Sequence, residues 1–295
     1  MAAGARPAGP GFWQRRATAR RFEVVLAYGG LTALAVIYAV PFFWMVSTSL
    51  KPPWDIERIP PNWIPTVFAW ENYPNALFKE TRYFPLFFRN TLVYVGLSVV
   101  GQLLSCTLVA YGFARIPFKG NKFLFTLVLS TMMLPSQVLL IPQYLLFKEL
   151  GWLNSLLPLV VPQYFGTAFY IFLLRQFFMT IPRELDEAAL VDGANHLDIY
   201  WRILLPLCQP ILITVFALSF VSHWNDFFGP LIYLNSKDKM VVATALRLFV
   251  DSHQQLPIHE LMAASVATLI PVIAVFLACQ RAFVRGITMT GLREG

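Results

Sequence analysis

The chain has 295 residues, of which 57% are hydrophobic and only 13% charged, and its mean hydropathy is +0.58. A soluble domain carries roughly a quarter charged residues, so this composition excludes an ordinary water-soluble globule. The net charge of +7 sits as arginines near the N-terminus and in short segments between apolar runs, a pattern of membrane orientation rather than of a nucleic-acid-binding face.

Residues 1–23, rich in Ala, Gly, Pro and Arg, read as a disordered cytoplasmic tail. Six apolar runs follow, at about 24–46, 91–113, 123–146, 156–178, 209–232 and 262–283. Each is long enough for a hydrocarbon layer of roughly 30 Å, which predicts an all-α integral membrane protein with six transmembrane helices. The first run is longer than a signal-peptide core and lacks a small-residue cleavage site, so it reads as a retained span. Pro135, Pro142, Pro158 and Pro162 interrupt spans three and four. They fit either bent helices lining a transport path or a merely kinked bundle.

Arg15, Arg16, Arg20 and Arg21 precede span one, and Arg115, Lys119 and Lys122 lie between spans two and three. Arg175, Arg183 and Arg202 fall between spans four and five, and Arg281 and Arg285 follow span six. This distribution predicts that both termini and these segments are cytoplasmic. The outer segment 47–90, with Trp54, Trp63, Trp70, Pro60, Pro61 and Pro65, suits a compact interfacial cap, and a second outer segment spans about 234–261. Cys106, Cys208 and Cys279 are far apart in or beside apolar runs, with no pairing to propose.

The inside stretch from Thr180 to Pro206 is too polar to span and too patterned for a linker. Pro182 and Glu184 suit a helix start, Asp192-Gly193 is a turn, and Asn195 with Asp198 forms a capping-box pattern for a second helix ending at Leu205-Pro206. The reading is a helix-turn-helix knob with small residues that permit close approach by another protein. Trp224-Asn225-Asp226 places a carboxylate toward the outer end of span five, near His223. It fits solute contact or a gate, simple packing, or a proton relay, and the last keeps a proton-coupled secondary transporter as the alternative function.

Glu187-Ala188-Ala189, three residues, Gly193, nine residues, then Ile203-Leu204-Leu205-Pro206 resembles the EAA loop of membrane subunits of binding-protein-dependent ABC importers. Phe172–Phe178, Ile181–Leu185, Trp224–Asp226 and Gly286–Thr288 are similar to the carbohydrate-type permeases of the maltose and glycerol-phosphate class. Two departures are Leu190, where a basic residue is common, and the tail Thr290–Gly295. The resemblance implies a permease domain over 24–284, a cytoplasmic tail over 285–295, and residence in a prokaryotic inner or plasma membrane. It implies that Glu187, Ala188, Ala189, Asp192, Gly193, Ile203, Leu205 and Pro206 form a coupling loop. Glu187 would contact the ATPase, the two alanines would pack in its cleft, and Gly193 would set the bend. Trp224, Asn225 and Asp226 are candidates for the solute path or gate. The implied partners are a second permease subunit, two copies of a cytoplasmic ATPase, an extracytoplasmic solute-binding protein and membrane lipid.

The chain contains no G-x-x-x-x-G-K-[ST], no second His at zincin spacing after His259-Glu260, and no G-x-S-x-G. The expectation is a transport subunit and not an enzyme, binding no cofactor itself, with ATP hydrolysed by its partners.

Overall fold

The computed structural model describes residues 12–79, 83–250 and 257–291, with side chains from residue 23 to 281 within those ranges. Eight principal helices order the chain: α1 (Phe12–Ser49), α2 (Phe84–Arg115), α3 (Asn121–Ser130), α4 (Ser136–Glu149), α5 (Ala168–Phe178), α6 (Glu184–Val191), α7 (Gln209–Trp224) and α8 (Ile258–Gly291). Short helical turns join them, and no strand occurs among the described residues.

Among the described residues, four helical segments are individually long and apolar enough to cross a membrane: Glu23–Ser49, Phe84–Arg115, Leu157–Phe178 and Ile258–Arg281. A count of six is reached only if two sharply bent pairs each make a span. The first pair breaks the expected span 123–146 into two helices. After Met133 the chain turns by 95° before α4 begins. Pro135 causes the break, because a residue preceding proline is driven out of the helical region. Leu134 accordingly sits at φ −79°, ψ 116°.

The expected span 209–232 is also broken. Helix α7 stops at Trp224, Asn225 caps it, and a separate turn of helix starts at Phe228. Its 16 residues reach about 24 Å at 1.5 Å per residue, short of a full crossing. The helical stretch His196–Leu207 meets α7 at 80°. The disorder expected of the N-terminal tail does not extend to all of it. Residues 12–23 continue α1 as helix, and α8 runs on to Gly291. Residues 1–11 and 292–295, which carry the rest of those tails, lie outside the described residues.

Helix α2 is the central pillar. It packs on α5, on α7 and on the 157–165 turns, while α7 also packs on α8 and α8 on α1. In the most apolar window of each span, 44% of α2 is buried but none of α1, so α1 touches the bundle only at its edge. Gly101 permits the close approach of α2 to Tyr164: a methyl group there would overlap the tyrosine ring. A core of Cys106, Ala110, Leu174, Phe178, Tyr200 and Val215 fills the half of the bundle toward the Arg115 end of α2, and one of Tyr94, Val99, Leu159, Phe220 and Trp224 fills the half toward its Phe84 end.

The segment after α1 forms a cap held by buried polar groups, each satisfied as burial requires. Asp55 accepts bonds from Asn62 Nδ2 (2.9 Å), Thr66 N–H (3.1 Å) and Thr66 Oγ1 (3.1 Å). Lys51 donates to the Asn62 carbonyl and lies over the Trp44 ring at 4.1 Å. The Thr66 amide above all, with its hydroxyl and Asn62, holds the Asp55 carboxyl below the usual carboxylate range.

Candidate functional site

The 184–207 loop begins with α6. Its first turn carries Glu184, Asp186 and Glu187, the charge that a helix N-terminus favours. It ends in a Schellman motif: Gly193 N–H donates to Leu190 O (3.1 Å) and Ala194 N–H to Ala189 O (2.9 Å). Gly193 takes φ +86°, a left-handed conformation that glycine adopts without strain, and an added Cβ there would meet nothing within 4 Å. The Asn195–Asp198 capping box is formed, with Asn195 Oδ1 accepting from Leu197 and Asp198 N–H at 2.9 Å each. Ile199–Leu204 then winds as a π-helix, and Leu205–Leu207 completes the stretch before Cys208 breaks it.

The two faces of α6 differ. Glu187 and Ala188 are exposed, as are Leu190, Asp192 and Gly193, and Val191 is 88% exposed. Ala189 is buried, only 8% exposed, in the core of Ile199, Tyr200 and Leu204. Ala188 faces outward and Ala189 inward, because one residue advances the helix by about 100°. Ile203 and Leu205 are half-buried against the same core, while Pro206 is exposed.

The loop is fastened to α2 by residues whose role the sequence did not reveal. Arg115 Nη1 lies 3.3 Å from Asp186 Oδ2, and Arg115 Nη2 donates to Ile181 O at 2.9 Å. Tyr111 Oη donates to His196 O at 3.0 Å, and the Thr107 and Tyr200 hydroxyls are 2.6 Å apart. Arg115 counted in the sequence only as an orientation charge. The available signal was the four-residue spacing of Thr107, Tyr111 and Arg115, which puts three polar side chains on one face of an apolar helix.

Toward the other end of α2 a cleft of about 410 Å³ opens between α2, α5 and α7. Asp226, in the break after α7, accepts from Tyr94 Oη (2.8 Å) and from Gly229 N–H (3.1 Å). His223 Nδ1 is 2.7 Å from Ser219 O. Gln102 donates to Thr167 Oγ1 (2.7 Å) and accepts from the Ser219 hydroxyl. The Trp224-Asn225-Asp226 triple is divided between two clefts. Trp224 is 4% exposed, donates Nε1–H to Thr268 O (3.1 Å) and stacks on Phe220. Trp224 and Asn225 instead border a second cleft of about 330 Å³ with Phe227 and Thr268.

A helical membrane bundle with a capped loop at one end and a polar cleft at a broken span has the build of a transport permease. The family described as "Binding-protein-dependent transport system inner membrane component" matches residues 104–289. The chain is 31% identical to the arabinooligosaccharides transport system permease protein AraQ of Bacillus subtilis (strain 168), over 88% of this chain and 92% of that one. It is 29% identical to the trehalose/maltose transport system permease protein MalG of Thermococcus litoralis, over 91% and 96%. A bacterial ABC transporter involved in the import of the acidic polysaccharide alginate has the same fold, with a TM-score of 0.79 over 90% of this chain and 97% of that one at 24% identity.

This chain belongs to the family of binding-protein-dependent transport system inner membrane components. It is a membrane-embedded permease subunit of an importer and not an enzyme.

Proposed function

We propose that this permease conducts a carbohydrate and takes its drive from a separate ATPase seated on the 184–207 loop. The observation that carries the reading is the division of α6 into two faces. Asp186 and Ala189 fasten the helix to its own bundle, which leaves Glu187, Ala188, Leu190 and Val191 presented outward. A small residue flanked by a carboxylate and exposed apolar side chains suits a groove that excludes water and supplies a cation. ATP is then hydrolysed by two copies of that ATPase, and this chain binds no nucleotide. A second permease subunit closes the path, a solute-binding protein delivers from the outer side, and both termini are cytoplasmic.

The carbohydrate class is supported by relatives named for arabinooligosaccharides and trehalose/maltose, and the cleft at Asp226 is the part of the path assigned to this subunit. Both Asp226 oxygens already accept from Tyr94 and Gly229, which supports a fixed acceptor over a proton carrier. The test is co-purification of the ATPase with a Glu187→Lys variant, alongside ATP-driven uptake of maltose, trehalose or arabinooligosaccharides into vesicles. Loss of the ATPase and of uptake is expected. Normal binding and uptake in this variant would overturn the docking reading.

A further inference from the structure

The loop shares an apolar core with α5 and α7, but its side-chain hydrogen bonds and ion pair to other helices run to α2. Thr107, Tyr111 and Arg115 lie four residues apart, so they form one stripe along α2. Arg115 grips the arm before the turn, at Asp186 and Ile181, and Tyr111 and Thr107 grip the arm after it, at His196 and Tyr200. The far end of the same helix grips the 226–242 region. Asn90 Nδ2 donates to Asp238 O (2.7 Å) and Met240 O (3.0 Å), Thr91 Oγ1 accepts from Val242 N–H (2.8 Å), and Tyr94 holds Asp226. From Thr91 to Arg115 the unbroken helix spans about 36 Å at 1.5 Å per residue.

The Arg115–Asp186 pair is poorly arranged for stability alone. The arginine side chain is 3% exposed and the aspartate 16%, while Arg115 Nε and Asp186 Oδ1 are buried without a hydrogen-bond partner. A buried pair that leaves polar atoms unmatched gains little over an apolar substitute, but it fixes the orientation of its elements. We infer that Arg115 is a positioning residue that locks α6 onto α2, so that loop and helix move as one body and carry motion to the 238–242 segment. The inference rests on the docking reading above. It adds the route: through α2 rather than through α5 and α7, which meet the loop at non-helical junctions around Met179–Arg183 and at Cys208.

The test uses the whole transporter in proteoliposomes, with ATP as the only ligand and external trypsin cleavage at exposed Lys237 as the reporter. In the parent complex, ATP is expected to change the cleavage rate several-fold. Arg115→Gln should abolish that change while the ATPase stays bound and still hydrolyses ATP, and Arg115→Lys should retain most of it. An Arg115→Cys/Asp186→Cys pair, bridged by a short bifunctional thiol reagent, should regain the parental response, because a rigid link replaces the ion pair. Cys106, Cys208 and Cys279 are buried and do not compete for the reagent.

A parental response in Arg115→Gln would overturn the inference. So would a bridged pair whose response is lost while hydrolysis continues, since the two residues would then have to part during the cycle. If Arg115→Gln fails to assemble, the bridged pair decides alone. Absence of the ATPase from the parent complex would instead defeat the docking reading.

Discussion

The Tyr94 hydroxyl donates to Asp226 Oδ2 at 2.8 Å, tying one helix to the break that ends another, 132 residues away in sequence. The same carboxylate caps the next helical turn through Gly229. Asp226→Asn preserves an acceptor oxygen and adds a donor, so ATP-driven uptake with the proton gradient collapsed should fall by no more than a few-fold. Asp226→Ala leaves Tyr94 Oη and Gly229 N–H unpaired, and should cost about 1–3 kcal/mol in thermal unfolding of the purified chain. Abolished uptake in the Asn variant alone would point to an obligatory titration.

Gly193 separates conformation from packing. Its φ of +86° opposes any β-branched residue, whereas the space beyond it is open. Valine in a left-handed conformation costs about 1–2 kcal/mol, so Gly193→Val should distort the Schellman turn and release the ATPase. Gly193→Asn tolerates positive φ and should retain both ATPase binding and uptake. Co-purification of the ATPase with each variant decides the point.

Ala188 and Ala189 should respond oppositely to the same enlargement. Ala189→Leu overpacks the core beneath α6 and should lower stability by about 1–3 kcal/mol. Ala188→Leu projects from the exposed face, so the chain should melt normally yet bind its ATPase more weakly. Equal melting of the two variants would contradict the assigned faces.

The topology yields to thiol labelling. Lys237 and Leu197 are both exposed, on segments toward opposite ends of α2. Lys237→Cys should react with an impermeant reagent in intact cells, and Leu197→Cys only after the membrane is opened. The reverse pattern would invert the proposed orientation.

The cap carries its own pH dependence. Hydrogen bonds depress the folded pKa of Asp55, so its contribution is fully present above the ordinary carboxylate value of about 4 and is lost as pH falls through the depressed one. Amide exchange over residues 50–79 should therefore quicken below that ordinary value. In Asp55→Asn it should be faster throughout and show no such step.

Much of this arrangement was legible because lipid imposes long apolar runs and arginines mark their flanks. The loop was legible for a different reason: Asn195, Asp198 and Gly193 act on backbone groups within a few residues, so their meaning is local. The breaks were less so. Pro135 announced a kink, but its size depends on Leu134 leaving the helical region, and Asn225–Phe227 contains no proline to mark the end of α7. The inward turn of Ala189 was hidden because the motif spacing fixes which residues are present, not which side the bundle covers. Long-range partners such as Arg115 with Asp186 and Tyr94 with Asp226 arise only once helices are packed.

The contact between Gly101 and Tyr164 has a consequence for how this chain drifts over generations. Neither position is free while the other is fixed, since a side chain at 101 would occupy the space of the ring at 164. A larger residue at 101 becomes admissible only after the ring has been trimmed or turned aside. Homologues should therefore show the two positions changing in tandem, glycine with a broad ring and bulkier residues with a slimmer partner. A lineage that alters 101 first would pass through an intermediate whose central pillar no longer closes on its neighbour.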